Sequence, residues 1–371
     1  MIIRQIDRKN TRELYRFIQF PNQLYQKNRF FAPSLTLNIK WILSDKNPFF
    51  QHSEVALFIA IEHDKIVGRI AAIYNTTHIN TYHDNTGFFG FFDTVNKWEV
   101  AQSLIYSAFS WLESKGIQKM IGPTNLTTND SCGVLMEGFD QKPMALMPYN
   151  APYYADLLEQ AGLKKAEDLY SYSIDGTGVF KKYRNIFDKV SSEMEVNKIT
   201  IRPVNKQRFD TDIKQIQRVY NLCNQGNWGF MPLNDAEFKE MALDLKRIAP
   251  LELALVLEDQ QTIIGFIIAI PNINEMLIHL RKGNIFPFGW IKMLYYKKKI
   301  KSARILILGI DPQYQGKGYD LVMYQKIKEA LNRLGIFESE ACYVMENNVT
   351  MQNIIQKLEG KIVKKYRIFT T

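Results

Sequence analysis

The chain of 371 residues has few cysteines, no long apolar run and no metal-ligand spacing among its five histidines. Cys132, Cys223 and Cys342 are too scattered for a disulfide framework, and none belongs to a CxxC pair. The longest apolar run, residues 263–270, is far shorter than the roughly 20 residues that a membrane-spanning helix needs. The first residues also lack the apolar segment of a signal peptide. We therefore expect a cytoplasmic protein that has no disulfide framework and binds no metal.

Acidic residues are missing from one region of a basic chain. The net charge is +9, from 47 Lys and Arg against 38 Asp and Glu, and residues 276–310 contain eight basic residues and no acidic one. The eight are Arg281, Lys282, Lys292, Lys297, Lys298, Lys299, Lys301 and Arg304. Such a local excess predicts a polyanionic partner, which is a phosphorylated cofactor, tRNA or an anionic membrane surface.

The composition is that of a folded protein with more than one core. Hydrophobic residues make up 46% and charged residues 23%, values that argue against disordered, collagen-like and coiled-coil chains. A domain typically takes about 100–200 residues, so two domains are expected at this length.

The chain contains an internal repeat. Residues 56–73 and 253–270 both read as strand, polar turn and strand over 18 residues, with a glycine at the same place, and they lie 197 residues apart. Further matches keep nearly the same offset: Arg4 with Arg202, Asn28 with Asn227, Pro33 with Pro232, Asn150 with Asn348, and Gly162 with Gly360. Matches in this order at one offset indicate a duplication.

Each copy reads as strand, one or two helices, hairpin, strand, helix, strand, helix and strand. This pattern predicts an α/β (α+β) fold in which each copy is a mixed, largely antiparallel sheet flanked by helices. The expected domains are residues 1–180 and 197–371, with turn and polar signals between them at 176–197. The second copy has an insertion at 271–302, and the first carries a long polar segment at 123–148.

A glycine loop in the second copy has the pattern of an anion site. A β-rich segment, residues 304–310, is followed by Gln313-Tyr-Gln-Gly-Lys-Gly318 and then by an amphipathic helix. Backbone N–H groups and the helix dipole attract an anion there, and Gly316 and Gly318 let the backbone approach a phosphate closely. Lys317 adds positive charge. The loop matches neither the Walker A nor the Rossmann pattern.

The second copy resembles the GNAT superfamily of acyl-CoA-dependent N-acyltransferases. The family's Gln/Arg-x-x-Gly-x-Gly/Ala motif is matched by Gln313, Gly316 and Gly318, and its strand ending in Asn before a helix by residues 341–348. The resemblance covers residues 303–366, and the repeat extends the fold to the whole chain. The sequence looks most similar to bacterial tandem-GNAT proteins, with two tandem GNAT-like domains.

The resemblance implies that pantetheine lies between two splayed strands and that the pyrophosphate binds to residues 313–318. Backbone around Leu308–Ile310 then binds pantetheine and polarises the thioester carbonyl while a free amine attacks. The co-substrate is acetyl-CoA or another acyl-CoA. The implied cofactor-binding residues are Leu308, Gly309, Ile310, Gln313, Tyr314, Gln315, Gly316, Lys317, Gly318, Tyr319, Asn348 and Met351.

The second copy departs from the family at its general acid. The position where many members have a tyrosine is Ile355. We expect Tyr343, Tyr366 or a water to protonate the leaving thiolate, unless the thiolate leaves unaided.

For a general base we favour Glu346, at the end of the strand where the amine should arrive. A carboxylate shielded there by Met345 and Met351 is suited to taking the amine proton. The alternative is that Glu346 and Asn348 only begin a helix.

The first copy lacks the cofactor loop. Its strand Thr86–Asp93 is followed by TVNKWEV, which contains no glycine, so we interpret this copy as a degenerate GNAT domain that cannot bind CoA. Residues 122–140 contain no Lys or Arg. Asn125, Asn129 and Asp130 predict a recognition loop for a cationic amine, and an Asx-turn-rich surface loop is the alternative.

The sequence predicts an acyl-CoA-dependent N-acyltransferase that acts on a small-molecule or peptide amine through its second copy. An aminoacyl-tRNA-dependent transferase and a non-catalytic acyl-CoA-binding or sensor protein are the alternatives, and nucleic acid is not an expected partner. The aromatic and basic residues 285–301 predict a packed helix with a solvated basic end. A lid over the acyl site, a peripheral membrane contact and an RNA contact are the alternatives for this segment.

Overall fold

The computed structural model of the chain describes residues 1–174, 176–280 and 282–371, without the side chains of residues 176 and 177. Up to residue 173 the elements are β1 (Ile2–Ile6), α1 (Thr11–Leu24), α2 (Thr36–Ile42), β2 (Ser53–Glu62), β3 (Lys65–Asn75), α3 (Thr76–Tyr82), β4 (Thr86–Thr94), α4 (Trp98–Glu113), β5 (Lys119–Gly122), β6 (Val134–Glu137), α5 (Tyr154–Gln160) and β7 (Lys164–Ser173).

From residue 176 onward the elements are α6 (Gly176–Lys182), α7 (Arg184–Val196), β8 (Ile199–Pro203), α8 (Phe209–Asn224), α9 (Asp235–Ile248), β9 (Ala254–Asp259), β10 (Thr262–Pro271), α10 (Asn274–Leu277), α11 (Gly289–Lys297), β11 (Ser302–Ile310), α12 (Tyr319–Arg333), β12 (Glu338–Met345), α13 (Val349–Lys357) and β13 (Lys361–Thr370). The predicted mixed α/β fold is confirmed.

The chain folds into two compact units that do not simply follow the two halves of the sequence. The first unit consists of Met1–Leu169, Asn274–Lys299 and Lys364–Thr371, and the second of Tyr170–Ile273 and Ile300–Val363. The first unit therefore contains α10, α11 and most of β13. The second contains α6, α7 and the end of β7.

The sheet of the first unit has the strand order β1-β2-β3-β4-β5-β13. Its pairs are antiparallel except β4 with β5, which run parallel. Helix α4 covers this sheet because its apolar residues recur every three or four positions. The buried ones are Val100, Ala101, Leu104, Ile105, Ala108 and Leu112. Gly68 of β3 permits the close approach, since a Cβ there would lie 2.7 Å from Leu104 Cδ1.

The sheet of the second unit has the order β12-β11-β10-β9-β8, with the end of β7 beside β12. Only β11 and β12 pair in parallel among these five strands. Successive side chains of β9 point to opposite faces of the sheet and contribute to the core on each face. Leu255 and Leu257 pack with α12 and α7, whereas Val256 packs with α8 and α9. The catalytic elements expected from the sequence, β11, α12 and β12, thus lie on a sheet with a core on each side.

The segment between the two expected domains, where the sequence has turn and polar signals, contains the helices α6 and α7. In α7, Phe187, Val190 and Met194 are buried in the core of the second unit. Their spacing of three and four places them on one side of the helix.

None of the helices in the described ranges is long and apolar enough to cross a bilayer. The same residues contain no cluster of three or more His, Cys, Asp or Glu that could hold a metal ion.

Candidate active site

Strands β11 and β12 of the second unit diverge after a short parallel pairing. Their register joins Ser302 to Glu338 and ends with Ile305 opposite Ala341, although β11 continues for five residues and β12 for four. Residues 306–308 are half-buried in a strand whose other residues are buried. The divergence opens one edge of β11, at the place where the resemblance predicts the pantetheine cleft.

The other edge of β11 is held firmly by β10. Leu308 pairs with Ile267, and Gly309 with Phe266. A Cβ on Gly309 would lie 2.7 Å from Cys223 Sγ, so this position admits a bare backbone only. Burial raises the pKa of the Cys223 thiol to about 11, which makes it a neutral packing group near neutral pH.

Asp311 fixes the loop where it leaves β11. Its Oδ1 accepts the Gln313 N–H at 3.2 Å, and its Oδ2 accepts from Arg218 at 3.0 Å. Arg218 also donates to the Ile263 carbonyl at 2.8 Å. The buried carboxylate and its guanidinium partner therefore tie the loop to α8 and β10.

Two further bonds hold the first half of the loop. The Tyr314 hydroxyl donates to Asp259 at 2.8 Å, a bond that raises the pKa of Tyr314. Gln315 Nε2 donates to the Ile310 carbonyl at 2.9 Å, and the Lys317 ammonium lies 4.9 Å from the centre of the Tyr314 ring. These bonds hold the first half of the loop in place, while residues 315–317 are exposed.

Both loop glycines have backbone conformations that disfavour other residues. Gly316 has φ of 77° and Gly318 has φ of 80°. A Cβ on Gly316 would point into open space, whereas one on Gly318 would lie 3.1 Å from Val190 Cγ2. Gly318 is the residue before α12, a helix of 15 residues whose positive end faces the loop. This geometry suits an anion bound by backbone N–H groups.

Asp320 is the one acidic residue in the first turn of α12. Burial raises the pKa of Asp320, against hydrogen bonds from the backbone N–H groups of residues 320 and 321 to its carboxylate. A phosphate would therefore bind to N–H groups of the preceding loop rather than to those two.

Glu346 directly follows β12, the strand that diverges from β11. Glu346 is half-buried, and its backbone carbonyl accepts from Gln352 at 2.9 Å. Asn348 caps α13 because its Oδ1 accepts the Met351 N–H at 3.0 Å. Asn348 thus has the helix-starting role of the alternative interpretation, and Glu346 is the predicted base at the strand end.

The two predicted acids belong to different units. Tyr343 is half-buried in the second unit, with the Arg304 guanidinium 5.3 Å from its ring centre. Tyr366 is fully buried and belongs to the first unit, where it pairs with Leu135. Ile355, at the family's tyrosine position, is fully buried in the core of the second unit. Of the predicted catalytic residues, Tyr343 lies on β12 and Glu346 directly follows that strand, both in the second unit.

Sequence reasoning missed Val190, Arg218, Cys223 and Asp259, which support the loop and strand β11. Val190 belongs to the apolar side of α7, which is a visible signal. Arg218 and Asp259 lie 93 and 55 residues from their loop partners, and no local pattern indicates such pairing.

The corresponding cleft of the first copy is filled by its own chain. Strands β4 and β5 pair from Thr86 opposite Lys119 only as far as Phe88. The Thr124 N–H then donates to the Phe89 carbonyl at 2.7 Å, and the Phe91 N–H donates to Asn125 Oδ1 at 2.8 Å. A Cβ on Gly90 would collide with the Thr124 carbonyl. Residues 123–125 therefore occupy the edge of β4.

The end of β4 is also occupied. By register with the preceding strand, Asp93 stands where the second copy has Gly309. Asp93 is buried and accepts from Arg69 at 2.7 Å and from the Tyr154 hydroxyl at 3.3 Å. The Tyr154 hydroxyl in turn accepts the Thr94 N–H at 3.0 Å. The first copy therefore has a buried, hydrogen-bonded side chain at the position where the second copy has a glycine.

The predicted amine-recognition residues make local bonds. Asn125 binds the backbone of β4, as described above. Asp130 Oδ2 accepts from the Thr127 hydroxyl at 2.8 Å and from its N–H at 3.2 Å, and the Asn129 N–H donates to the same hydroxyl at 3.2 Å. Asp130 is exposed and Asn129 half-buried. These bonds form a compact turn beside the filled cleft.

Comparison with known proteins gives full-length relatives. The chain is 33% identical over 368 residues to protein YghO of Escherichia coli strain K12, which covers 97% of this chain and 93% of the relative. It is 32% identical over 369 residues to a bacterial ceramide synthase of Caulobacter vibrioides, which covers 97% of this chain and 95% of that one. The chain belongs to this family. No protein-family model matches it.

Solved structures confirm the tandem GNAT fold. A tandem GNAT protein from the clavulanic acid biosynthesis pathway aligns with a TM-score of 0.58 at 8% identity, over 100% of this chain and 98% of that one. A GCN5-related N-acetyltransferase from Sphaerobacter thermophilus aligns with a TM-score of 0.53 at 12% identity, over 100% and 95% of the two chains. The resemblance to GNAT acyltransferases is therefore confirmed at the level of fold.

Proposed function

We propose that the protein is an acyl-CoA-dependent N-acyltransferase whose second unit binds the thioester. The open edge of β11 beside an exposed glycine loop carries this proposal. Gly316, Lys317 and Gly318 present backbone and charge to a pyrophosphate, and the half-buried residues 306–308 lie where pantetheine would extend. These residues fit CoA, whereas the first copy's cleft is filled.

We further propose that the acceptor is the amine of a long-chain amino lipid and that the acyl group is a fatty acyl group. The support is the 32% identity, over nearly the whole chain, to a protein named as a bacterial ceramide synthase. A ceramide is the amide of a fatty acid with a long-chain amino alcohol. Acetyl-CoA, one of the donors that the resemblance implies, becomes the comparison substrate.

In the proposed reaction the amine nitrogen attacks the acyl carbon, a C–N bond forms and the C–S bond breaks. Glu346 takes the proton that the amine loses, and the departing thiolate is protonated by Tyr343 or water. N–H groups at the open edge of β11 stabilise the oxyanion. Asn129 and Asp130 stay predictions for recognition of the cationic amine.

Incubating the full chain with palmitoyl-CoA and sphinganine tests the proposal, with thiol release and amide mass as readouts. We expect stoichiometric CoA and N-palmitoyl amide, and a much slower reaction with acetyl-CoA. Amide from acetyl-CoA alone would overturn the fatty acyl assignment. CoA binding without turnover on any amine would instead indicate a sensor protein, and transfer from aminoacyl-tRNA would replace the donor.

A further inference from the structure

The insertion of the second copy exposes an unusual concentration of apolar side chains. We call residues 285–299 the insertion segment; they include α11 and belong to the first unit. Six large apolar side chains between positions 286 and 295 are 47–73% exposed: Phe286, Phe288, Trp290, Ile291, Leu294 and Tyr295. No residue of α11 is buried. Isolated exposed apolar residues are normal, but a contiguous group marks an interaction surface.

The exposed apolar residues of α11 share one side of the helix. Since each residue turns by about 100°, Trp290, Leu294, Ile291 and Tyr295 fall within about 140° of the helix circumference. Lys292 and Lys297 flank this sector. Met293 and Tyr296, on the opposite side, are the half-buried ones. The outward face is therefore apolar with a basic border.

The insertion segment is held in this orientation. The Tyr296 ring stacks on His279 with centroids 3.6 Å apart. Trp290 Nε1 donates to the Pro287 carbonyl at 3.0 Å. Just before the segment, the Thr36 N–H donates to the Gly283 carbonyl at 3.0 Å, and the Thr36 hydroxyl donates to Asn284 Oδ1 at 2.9 Å. These contacts fix the stem of the segment to the first unit and leave the apolar side chains outward.

The charge of the segment selects among occupants. Lys292, Lys297, Lys298 and Lys299 are exposed, and the sequence has no acidic residue from 276 to 310. Arg281, counted in this basic region, lies outside the described residues. A two-fold contact between two molecules of the protein would bring these lysines close to one another. Binding of RNA would leave Ile291 and Leu294 without an apolar partner. An anionic lipid surface matches both the apolar face and its basic border.

We propose that the insertion segment docks the protein on anionic phospholipid bilayers, with α11 lying in the plane of the interface. Trp290, Ile291, Leu294 and Tyr295 enter the boundary between headgroups and acyl chains, and the lysines contact the headgroups. This inference does not depend on which acyl acceptor the protein uses.

Vesicle sedimentation of the full chain tests the docking. We expect binding to vesicles of phosphatidylcholine with phosphatidylglycerol and little binding to phosphatidylcholine alone. Trp290→Ser with Leu294→Ser should weaken binding by about tenfold or more, since both side chains lose apolar burial. Lys297→Gln with Lys298→Gln should weaken it about fivefold per lysine.

The matched control is Trp98→Ser with Tyr106→Ser, which removes an exposed Trp and an exposed Tyr from α4 of the same unit. This variant should bind vesicles like the wild type, and thermal unfolding should show all variants folded. Unchanged binding in the Trp290/Leu294 variant, or no binding by the wild type, would overturn the proposal. The segment would instead be a subunit interface if the wild type formed dimers without binding vesicles and the Trp290/Leu294 variant were monomeric.

Discussion

The two copies of the repeat begin the same cleft and finish it differently. In both, a parallel strand pair separates after three or four residue pairs. In the second copy the open edge of β11 continues into a loop with Gly316 and Gly318. In the first, residues 123–125 bind the edge of β4, and Asp93 is held in a buried ion pair with Arg69.

This difference shows how a copy of the repeat can keep its fold while its own chain fills the gap between the diverging strands. The divergence of two parallel strands leaves backbone groups that need partners. The first copy supplies those partners from its own chain. In the described part of the second copy no such segment covers the edge of β11. Substitutions in one copy can therefore serve as controls for substitutions in the other.

The largest expected effect is on turnover, and it would sharpen the assignment of chemistry to the second copy. Glu346→Gln removes the proposed base and should lower the rate about 100- to 10,000-fold. CoA affinity should be unchanged, because the loop residues are untouched. Steady-state kinetics and calorimetry give the two quantities.

Glu338→Gln, at the exposed start of the same strand, is the matched control and should retain full turnover. If Glu346→Gln is equally active, Glu346 only precedes the helix and the amine arrives already deprotonated.

A second effect concerns stability of the first unit rather than chemistry. Burial raises the pKa of Asp168, but hydrogen bonds from Arg367, Lys365 and Lys165 outweigh burial and hold the pKa well below its usual range. Two of these partners lie on β13, so Asp168 anchors the C-terminal strand. Asp168→Asn should lower the free energy of unfolding by about 3 kcal/mol, as expected for breaking a buried ion pair.

The pH dependence of this effect follows from the depressed pKa. The ionised Asp168 stabilises the folded state fully above the unfolded pKa of about 3.9, and this stabilisation is lost as pH falls toward the folded pKa. Denaturant unfolding should therefore show a constant gap between wild type and variant near neutral pH, which narrows in acid. Asp188→Asn, at a 69% exposed side chain, is the control and should change little. A gap that widens in acid would contradict this.

A smaller effect is expected on stability when Asn125 is replaced, and the same variant tests whether the first copy binds CoA. Asn125→Ala removes the acceptor of the Phe91 N–H and should destabilise the protein by about 1–2 kcal/mol. Asn125→Asp keeps an oxygen there and should recover most of that loss. CoA affinity should be the same in both variants, as measured by calorimetry. A large change in affinity would place the CoA site in the first copy.

The sequence was sufficient for the parts of the site that lie close together along the chain. The order of strand, glycine loop and helix in residues 304–333 predicts the anion loop, and the repeat predicts two copies. The strands that pair with β7 and β13 could not be predicted, because a strand pattern indicates a strand but not the sheet that it joins. The filling of the first cleft rests on one backbone hydrogen bond, between Thr124 and Phe89, and on one from the Phe91 N–H to the Asn125 side chain. Neither leaves a pattern in the sequence.

Helix α7, in contrast, has a pattern that the sequence shows. Polar and turn residues near 176–197 suggest a boundary, yet three apolar residues at helical spacing place α7 in the core of the second unit, with Val190 behind Gly318. A cut at residue 197 would remove this support from the loop. Experiments on the site therefore need the full chain.

Calorimetric titration of the full chain with CoA tests the central claim most directly, because it counts the clefts that accept the cofactor. We predict one site per chain. Replacing Gly316 and Gly318 by valine should abolish it, together with the stabilisation of about 2.7 kcal/mol expected at 100 times the dissociation constant. Asn125→Ala should leave it intact. Two sites per chain, or one site that survives in the folded double-glycine variant, would contradict the account.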